Sequence, residues 1–119
     1  MTKKIAGALV DLSALEAALQ AFADARDWNR FHSPKNLAMA LTGEVGELVE
    51  IFQWLTEAQS AEVARDPATA QAVRDELADV LIYLVRLAAV LGVDLDAAVR
   101  DKLAANALRY PATAPAPSA

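Results

Sequence analysis

The sequence predicts an all-α protein, and three observations carry that expectation. Ala and Leu are abundant, Gly occurs four times in 119 residues, and aromatic residues make up 6% of the chain. Such a composition favours helices over sheets. Apolar residues recur at helical spacing along the chain with no strand signal between them, and helix-start signals precede the apolar runs.

The first helix is expected over residues 13–27. Ser13 stands three residues before Glu16 as a capping box, and Leu15, Leu19 and Phe22 follow on one face. A second helix is expected from Pro34 to about Glu57, with Ser33 as N-cap and Pro34 at the first helical position, where its missing N–H costs nothing. The Asp66-Pro67 pair predicts the start of a third, which runs to Leu91 and stops at Gly92. Asp94 caps a fourth over residues 95–108, ending before Pro111. Residues 1–111 read as one domain without internal repeats. The Pro/Ala tail at 112–119 has nothing to bury and is expected to be disordered.

A net charge of −5 excludes a broad attraction to nucleic-acid polymers or anionic membranes. A phosphate ligand would therefore need metal ions or a few local cations. With no Cys there is no disulfide framework and no thiolate metal site, which fits a cytoplasmic location. The basic start "MTKKIAGALVDLSALE" is interrupted by Asp11 and Glu16, too early for a signal peptide or a membrane span.

The acidic residues of "GEVGELVEIFQW" fall in an unusual place. With Leu37 at zero and about 100° per residue, Leu41, Val45, Leu48, Phe52 and Leu55 share one arc, and Glu44 lands inside it. Glu47 borders the arc at about 280°, and Glu50 lies farther round at about 220°. In the third helix Val73, Leu77, Val80, Leu81, Leu84, Leu87 and Leu91 form the stripe. Measured from Val73, Glu76 sits at about 300° and Asp79 at about 240°, with Tyr83 between them.

Two helices packed along these stripes bring Glu44, Glu47, Glu76 and Asp79 together at the edge of the core. Carboxylates so placed repel one another and lose solvation unless protons or cations compensate. A divalent cation supplies both remedies. The ligand set is all oxygen, with no Cys and no His on those faces, so Mg²⁺ or Mn²⁺ is favoured over Zn²⁺. An ExxE pair is also an ordinary solvated helix face, and periodicity alone leaves both readings standing. A ferritin-like di-iron bundle wants ExxH motifs on two helices, and the sequence has none.

The stretches "RDWNRFHSPKNLAMALTGEVGELVEIFQWL", "DELADVLIYLVRLA" and "VDLDAAVRDKLAANALRYP", in that order, resemble the all-α nucleoside triphosphate pyrophosphohydrolases of the MazG-like superfamily. Within it they look most like the dCTP pyrophosphatase branch, over about residues 13–111. The superfamily's ExxE, spacer, ExxD signature reads here as Glu44, Glu47, Glu76 and Asp79. The resemblance implies a four-helix MazG-like bundle assembled as an oligomer, with Mg²⁺ held by those four carboxylates. It also implies cleavage between the α- and β-phosphates of a deoxynucleoside triphosphate, releasing the monophosphate and pyrophosphate in nucleotide pool sanitation.

Further roles follow residue by residue from the resemblance. Glu50, one turn beyond Glu47, is assigned to orient water or act as general base, its alternative being an exposed helix glutamate. Trp28, Trp54 and Tyr83 are implied in an aromatic base pocket, although each also fits ordinary core packing. Lys102 and Asn106, on one face of the fourth helix, are implied in contacts to phosphate and base, against the alternative of a solvated face. His32 reads as a structural or pocket-rim residue. In mammalian members a histidine of the first helix lines the nucleotide pocket, and the matching position here is Leu19. That departure weakens dCTP as the exact substrate and leaves dUTP or another non-canonical nucleotide as an alternative. Outside enzymes, the alternative is a helical oligomerisation module with incidental acidic pairs.

The third helix is apolar beyond its stripe, at Ile82, Val85 and Ala89. Four helices cannot cover all of that surface in one small monomer, which predicts a homo-oligomer. The branch resembled implies a tetramer, a dimer of dimers.

Overall fold

The computed structural model describes residues 7–113 and is all-α, with no strand among the described residues. Helix α1 spans Ser13–Ala25, α2 Pro34–Phe52, the short α3 Glu57–Ser60, α4 Ala70–Leu91 and α5 Leu95–Arg109, with a 3-10 turn at Asn29–Phe31. The chain divides into two compact units: Leu12–Gly92, which holds α1 to α4, and the segments on either side of it, which hold α5. Residues 114–119 of the tail expected to be disordered lie outside the described residues. Among the described residues no helix is long and apolar enough to cross a membrane.

In the larger unit α4 packs along α2 and against α1. Leu37 of α2 and Val85 of α4 are the most deeply buried large side chains, at 2% and 0% exposure. Burying one such side chain stabilises a fold by roughly 1.5–3 kcal/mol, so these two anchor the helix pair that carries the carboxylates. Ala23, Val63, Val73 and Ala88 complete the buried apolar set. The stripe read as the core of α4 divides: Val73 is buried, whereas Leu77, Leu81, Leu84 and Leu91 remain exposed. Helical spacing marks an apolar face without saying whether the same chain covers it.

Helix ends follow local chemistry. Ser33 accepts a hydrogen bond from the Asn36 N–H at 3.2 Å with Pro34 next in line, and Asp94 accepts from Ala97 at 3.1 Å. Gly92 closes α4 at φ +70°, a left-handed conformation glycine adopts without a Cβ clash. Just past the end of α1, Asp27 has a φ of 54°, which places a non-glycine residue in that same region. The Asp27 N–H bonds to the Asp24 carbonyl at 3.3 Å and the Trp28 N–H to Ala23 at 2.9 Å, the paired pattern of a Schellman stop.

Three expected boundaries move. Helix α1 starts at Ser13 as expected, though with Leu12 as its N-cap, and stops at Ala25 instead of residue 27. Helix α2 stops at Phe52 instead of near Glu57, because Thr56 and Gln59 form their own capping box and start α3. At the next helix, Asp66 accepts from the Ala68 N–H and forms a turn around Pro67, which delays α4 to Ala70.

In the smaller unit, Asp96 of α5 accepts from the N–H groups of Leu9 and Val10 at 2.7 and 2.9 Å. Arg100 pairs with Asp96 at 3.0 Å and donates to the Gly7 carbonyl, tying the N-terminal segment to the helix. These backbone donors, Val10 foremost, hold the Asp96 carboxyl below its usual range.

Candidate active site

Glu44 and Glu47 project from α2 and Glu76 from α4, and their carboxylate oxygens lie within 4.8 Å of one another. The placement follows from spacing: three residues separate Glu44 from Glu47, so both share the side of α2 that meets α4. One oxygen each of Glu44 and Glu76 is buried without a hydrogen-bond partner. Asp79, one turn after Glu76, is half-buried and its charge is felt at Glu44. Its oxygens fall outside the tight group of three. Glu50 shares an open cleft of ≈ 350 Å³ with Glu47, Glu76, Ile51 and Ala72.

The electrostatics match this crowding. Burial pushes the Glu76 carboxyl up to about 7, helped by a hydrogen bond shared with Glu44 and by the charge of Glu47. Burial also raises Glu44, with Glu47 and Asp79 adding repulsion, while the hydrogen bond from Glu76 offsets part of the rise. Without a cation, this crowding favours keeping a proton on Glu76 toward neutral pH. Oxygen-only donors, two of them enclosed and lacking a partner, fit a hard divalent cation. A cation there would compete with that proton.

Farther along α4 lies a second cavity of ≈ 170 Å³, lined by Leu19, Phe22, Ala23, Trp28, His32, Ile82, Tyr83 and Arg86. Trp28 meets Phe22 and His32 edge-on at 5.5 and 6.1 Å between ring centroids. The turn after α1 sets this geometry, because the bond from Trp28 to Ala23 folds the indole back over the helix. Such a slot suits a flat heteroaromatic ring. Seven residues, two turns of α4, separate Glu76 from Tyr83.

Arg86 is 5% exposed, yet among the described residues no carboxylate forms an ion pair with it. It donates to His32 Nδ1 at 3.1 Å, Gln20 Oε1 at 2.7 Å and Asn29 Oδ1 at 2.8 Å. The two amides in turn donate to Asp24 at 2.8 and 2.7 Å. The charge on Arg86 is thus answered at one remove. Donation from Asn29, then Gln20, holds Asp24 below its usual range, and burial, with Arg86 nearby, lowers His32.

The structure therefore gathers Glu44, Glu47 and Glu76 with Glu50 in the adjoining cleft, and places Trp28 and Tyr83 in one cavity. Trp54 does not join them: just beyond the end of α2 it is 86% exposed. Lys102 and Asn106 lie on α5 in the smaller unit, the first exposed and the second half-buried. The sequence reading missed Arg86 and its Gln20, Asn29 and Asp24 relay. Its signal was present, since Arg86 is the only charged residue between Asp79 and Asp94 in the apolar run "VLIYLVRLAAVLG".

Comparison with known proteins agrees with this geometry. The chain is 53% identical over 91 residues to dCTP pyrophosphatase 1 of Homo sapiens, covering 76% of this chain and 54% of that protein. It is 53% identical over 90 residues to the Rattus norvegicus protein of the same name, covering 76% and 53%. The chain thus spans about half the length of these relatives. A pyrophosphatase from Archaeoglobus fulgidus DSM 4304 superposes with a TM-score of 0.79 at 38% identity, covering 92% of this chain and all of that one. The sequence model of the MazG-like family matches residues 40–115, which include all four signature carboxylates, and the chain belongs to that family.

Proposed function

We propose that the chain is a Mg²⁺-dependent nucleoside triphosphate pyrophosphohydrolase acting on dCTP or a related pyrimidine deoxynucleotide. The observation that carries this reading is the meeting of Glu44, Glu47 and Glu76, with two enclosed oxygens lacking a partner, two helical turns from an aromatic slot. The names of its relatives and its structural neighbour support the same reaction class.

Glu44, Glu47, Glu76 and Asp79 would hold the metal. Bound there, Mg²⁺ would neutralise the triphosphate and polarise the α-phosphoryl group, and Mn²⁺ is the natural substitute. Glu50, on the cleft side, orients water and takes its proton as the oxygen bonds to the α-phosphorus. The bond from that phosphorus to the bridging oxygen breaks, and pyrophosphate leaves with the electron pair. Trp28 and Tyr83 stack the base, while Lys102 and Asn106 are assigned to phosphate and base. Leu19 stands in the slot where mammalian members carry a histidine, which favours a specificity reaching dUTP or a modified pyrimidine nucleotide.

A homotetramer belongs to the proposal. Leu77, Leu81 and Leu84 on α4 and Val45 and Val49 on α2 are exposed at helical spacing, as a surface buried by another copy would be. Trp54, outside the slot of its own chain, is proposed to close the pocket of a neighbour. A cytoplasmic site of action accompanies a nucleotide substrate.

The test is pyrophosphate release from each canonical dNTP and NTP, with Mg²⁺ and with EDTA, for wild type and Glu47→Ala. Metal-dependent release lost in the variant supports the reading, and the ranking of bases identifies the substrate. No release from any nucleotide sinks it and favours a non-catalytic helical module.

A further inference from the structure

We propose that Arg86 is a specificity-determining residue that acts through His32, fixing its ring so that the pocket offers a permanent N–H donor to a carbonyl oxygen of the bound base. The inference rests on the pocket assignment above and adds the polar contact that an aromatic slot alone lacks.

Arginine has five N–H donors and no acceptor. Its Nε–H points at His32 Nδ1 at 3.1 Å, so that nitrogen must offer a lone pair. An imidazole that accepts at Nδ1 is neutral and carries its proton at Nε2. His32 lines the cavity beside Trp28, and the hydrogen bond its side chain makes among the described residues is the one at Nδ1, so Nε2–H is left for a ligand. The ring edge left for a ligand is therefore a donor, and Arg86 keeps it one.

The rest of the network makes this arrangement rigid. Gln20 and Asn29 hold the other two guanidinium nitrogens and are themselves fixed by Asp24. Asn29 opens the 3-10 turn directly after Trp28, so one buried cation registers the stacking residue and the donor together. For stability alone, an aliphatic residue at position 86 would serve at least as well, because a buried charge with only neutral partners carries a desolvation cost. Its position on the wall of the slot gives that cost a use. A pyrimidine stacked there presents the O2 carbonyl, an acceptor common to cytosine and uracil. This contact selects for a pyrimidine without separating the two bases.

The experiment exploits the fact that His32 is the only histidine in the chain. Long-range ¹H–¹⁵N spectra of the full chain, recorded with and without deoxycytidine monophosphate, should show a pyridine-like Nδ1 and a pyrrole-like Nε2. Addition of the nucleotide should then shift the Nε2–H resonance. Arg86→Met should yield a mixture of tautomers and weaken binding of the monophosphate about tenfold, the order expected for losing one oriented hydrogen bond. In a His32→Phe background the same substitution should cost nothing further, a non-additivity that a purely structural role would not produce.

A protonated Nδ1 in the wild type, an Nε2–H unmoved by nucleotide, or full affinity in Arg86→Met would overturn the proposal. Should Arg86→Met not fold, the wild-type spectra decide by the first two criteria. Metal-dependent hydrolysis retained alongside an unmoved His32 signal defeats this inference alone, whereas absence of hydrolysis across the panel defeats the enzymatic reading.

Discussion

Glu44 and Glu76 face each other across α2 and α4, each with one carboxylate oxygen enclosed and unmatched by any donor. Two carboxyls this close share a proton when no cation is present, and that links the fold to pH. Burial pushes the Glu76 carboxyl up to about 7, above the ordinary carboxyl value of 4.5. The folded protein thus holds more protons than the unfolded chain between those two values. Stability of the metal-free protein must fall as pH rises through that window and level off above it. Thermal unfolding in EDTA across the window should show the decline. Mg²⁺ should raise the midpoint, and by more above pH 7 than below pH 5, since at low pH protons compete for the ligands. A pH-independent midpoint in EDTA would mean that the pair shares no proton.

Glu76→Gln separates the structural cost of this site from its use. The amide carries no charge and can donate to Glu44, so the metal-free variant should be at least as stable as wild type above pH 7, with a flattened pH slope. Metal-dependent pyrophosphate release should drop by at least about 10²-fold, the scale on which loss of preorganised electrostatic stabilisation is felt. Retained hydrolysis would remove Glu76 from the metal site.

Gly43 lies mid-helix on the face shared by Glu47 and Glu50, four and seven residues on, and a Cβ there would meet nothing within 4 Å. Helix-interior glycine costs about 0.5–1 kcal/mol relative to alanine, so Gly43→Ala should stabilise the chain by that amount. The same methyl would stand on the helix face that carries Glu47 and Glu50, which line the cleft. A higher unfolding midpoint with reduced kcat/KM would show that the space is used by substrate, and unchanged kinetics would show that it is not.

Legibility of the fold depended on how local each cause was. Ser33-Pro34, Asp94 and Gly92 act through their own backbone neighbours, and the structure uses each as the sequence predicts. Thr56 and Gln59 carry an equally local signal, but it lies inside a continuous apolar pattern that reads as one helix past the end of α2. The Glu44, Glu47 and Glu76 group was readable because two amphipathic helices of known phase fix where their acidic residues meet. The network that holds Arg86 was not, although the lone charge stands out in its apolar run, because its partners are 54 to 66 residues away and none bears the opposite charge that marks an ion pair. The exposed leucines of α4 show the remaining limit: periodicity identifies an apolar face without identifying whether the chain itself covers it.

Asp27 takes the left-handed position that ends α1 and aims Trp28 into the slot. Aspartate tolerates that conformation better than most residues, but glycine has no Cβ to strain. Asp27→Gly should therefore leave stability unchanged or slightly raised, since the exposed ion pair it loses to Arg30 is worth little. Asp27→Val should destabilise by roughly 1–2 kcal/mol, the cost of a left-handed β-branched residue, and raise KM through a misplaced Trp28. Denaturant unfolding and steady-state kinetics on both variants check the pair. Equal KM values for Gly and Val would detach the turn from substrate binding.

Trp28 and Trp54 should differ in a way that reports the assembly. Trp28 packs against Phe22 and His32 within its own chain, whereas Trp54 leaves its indole in solvent. Both Trp28→Ala and Trp54→Ala should weaken substrate binding, but only the first removes aromatic contacts inside the subunit. If Trp54 closes a neighbour's pocket, each variant spoils a different part of a shared site. Unfolding the two weakened variants together and refolding them as mixed oligomers would then create some pockets with a native Trp28 from one chain and a native Trp54 from the other. Activity of the mixture should rise above that of either variant refolded alone. Full activity in Trp54→Ala, or a mixture no more active than its components, would place the complete pocket within one chain and leave the exposed indole to another surface.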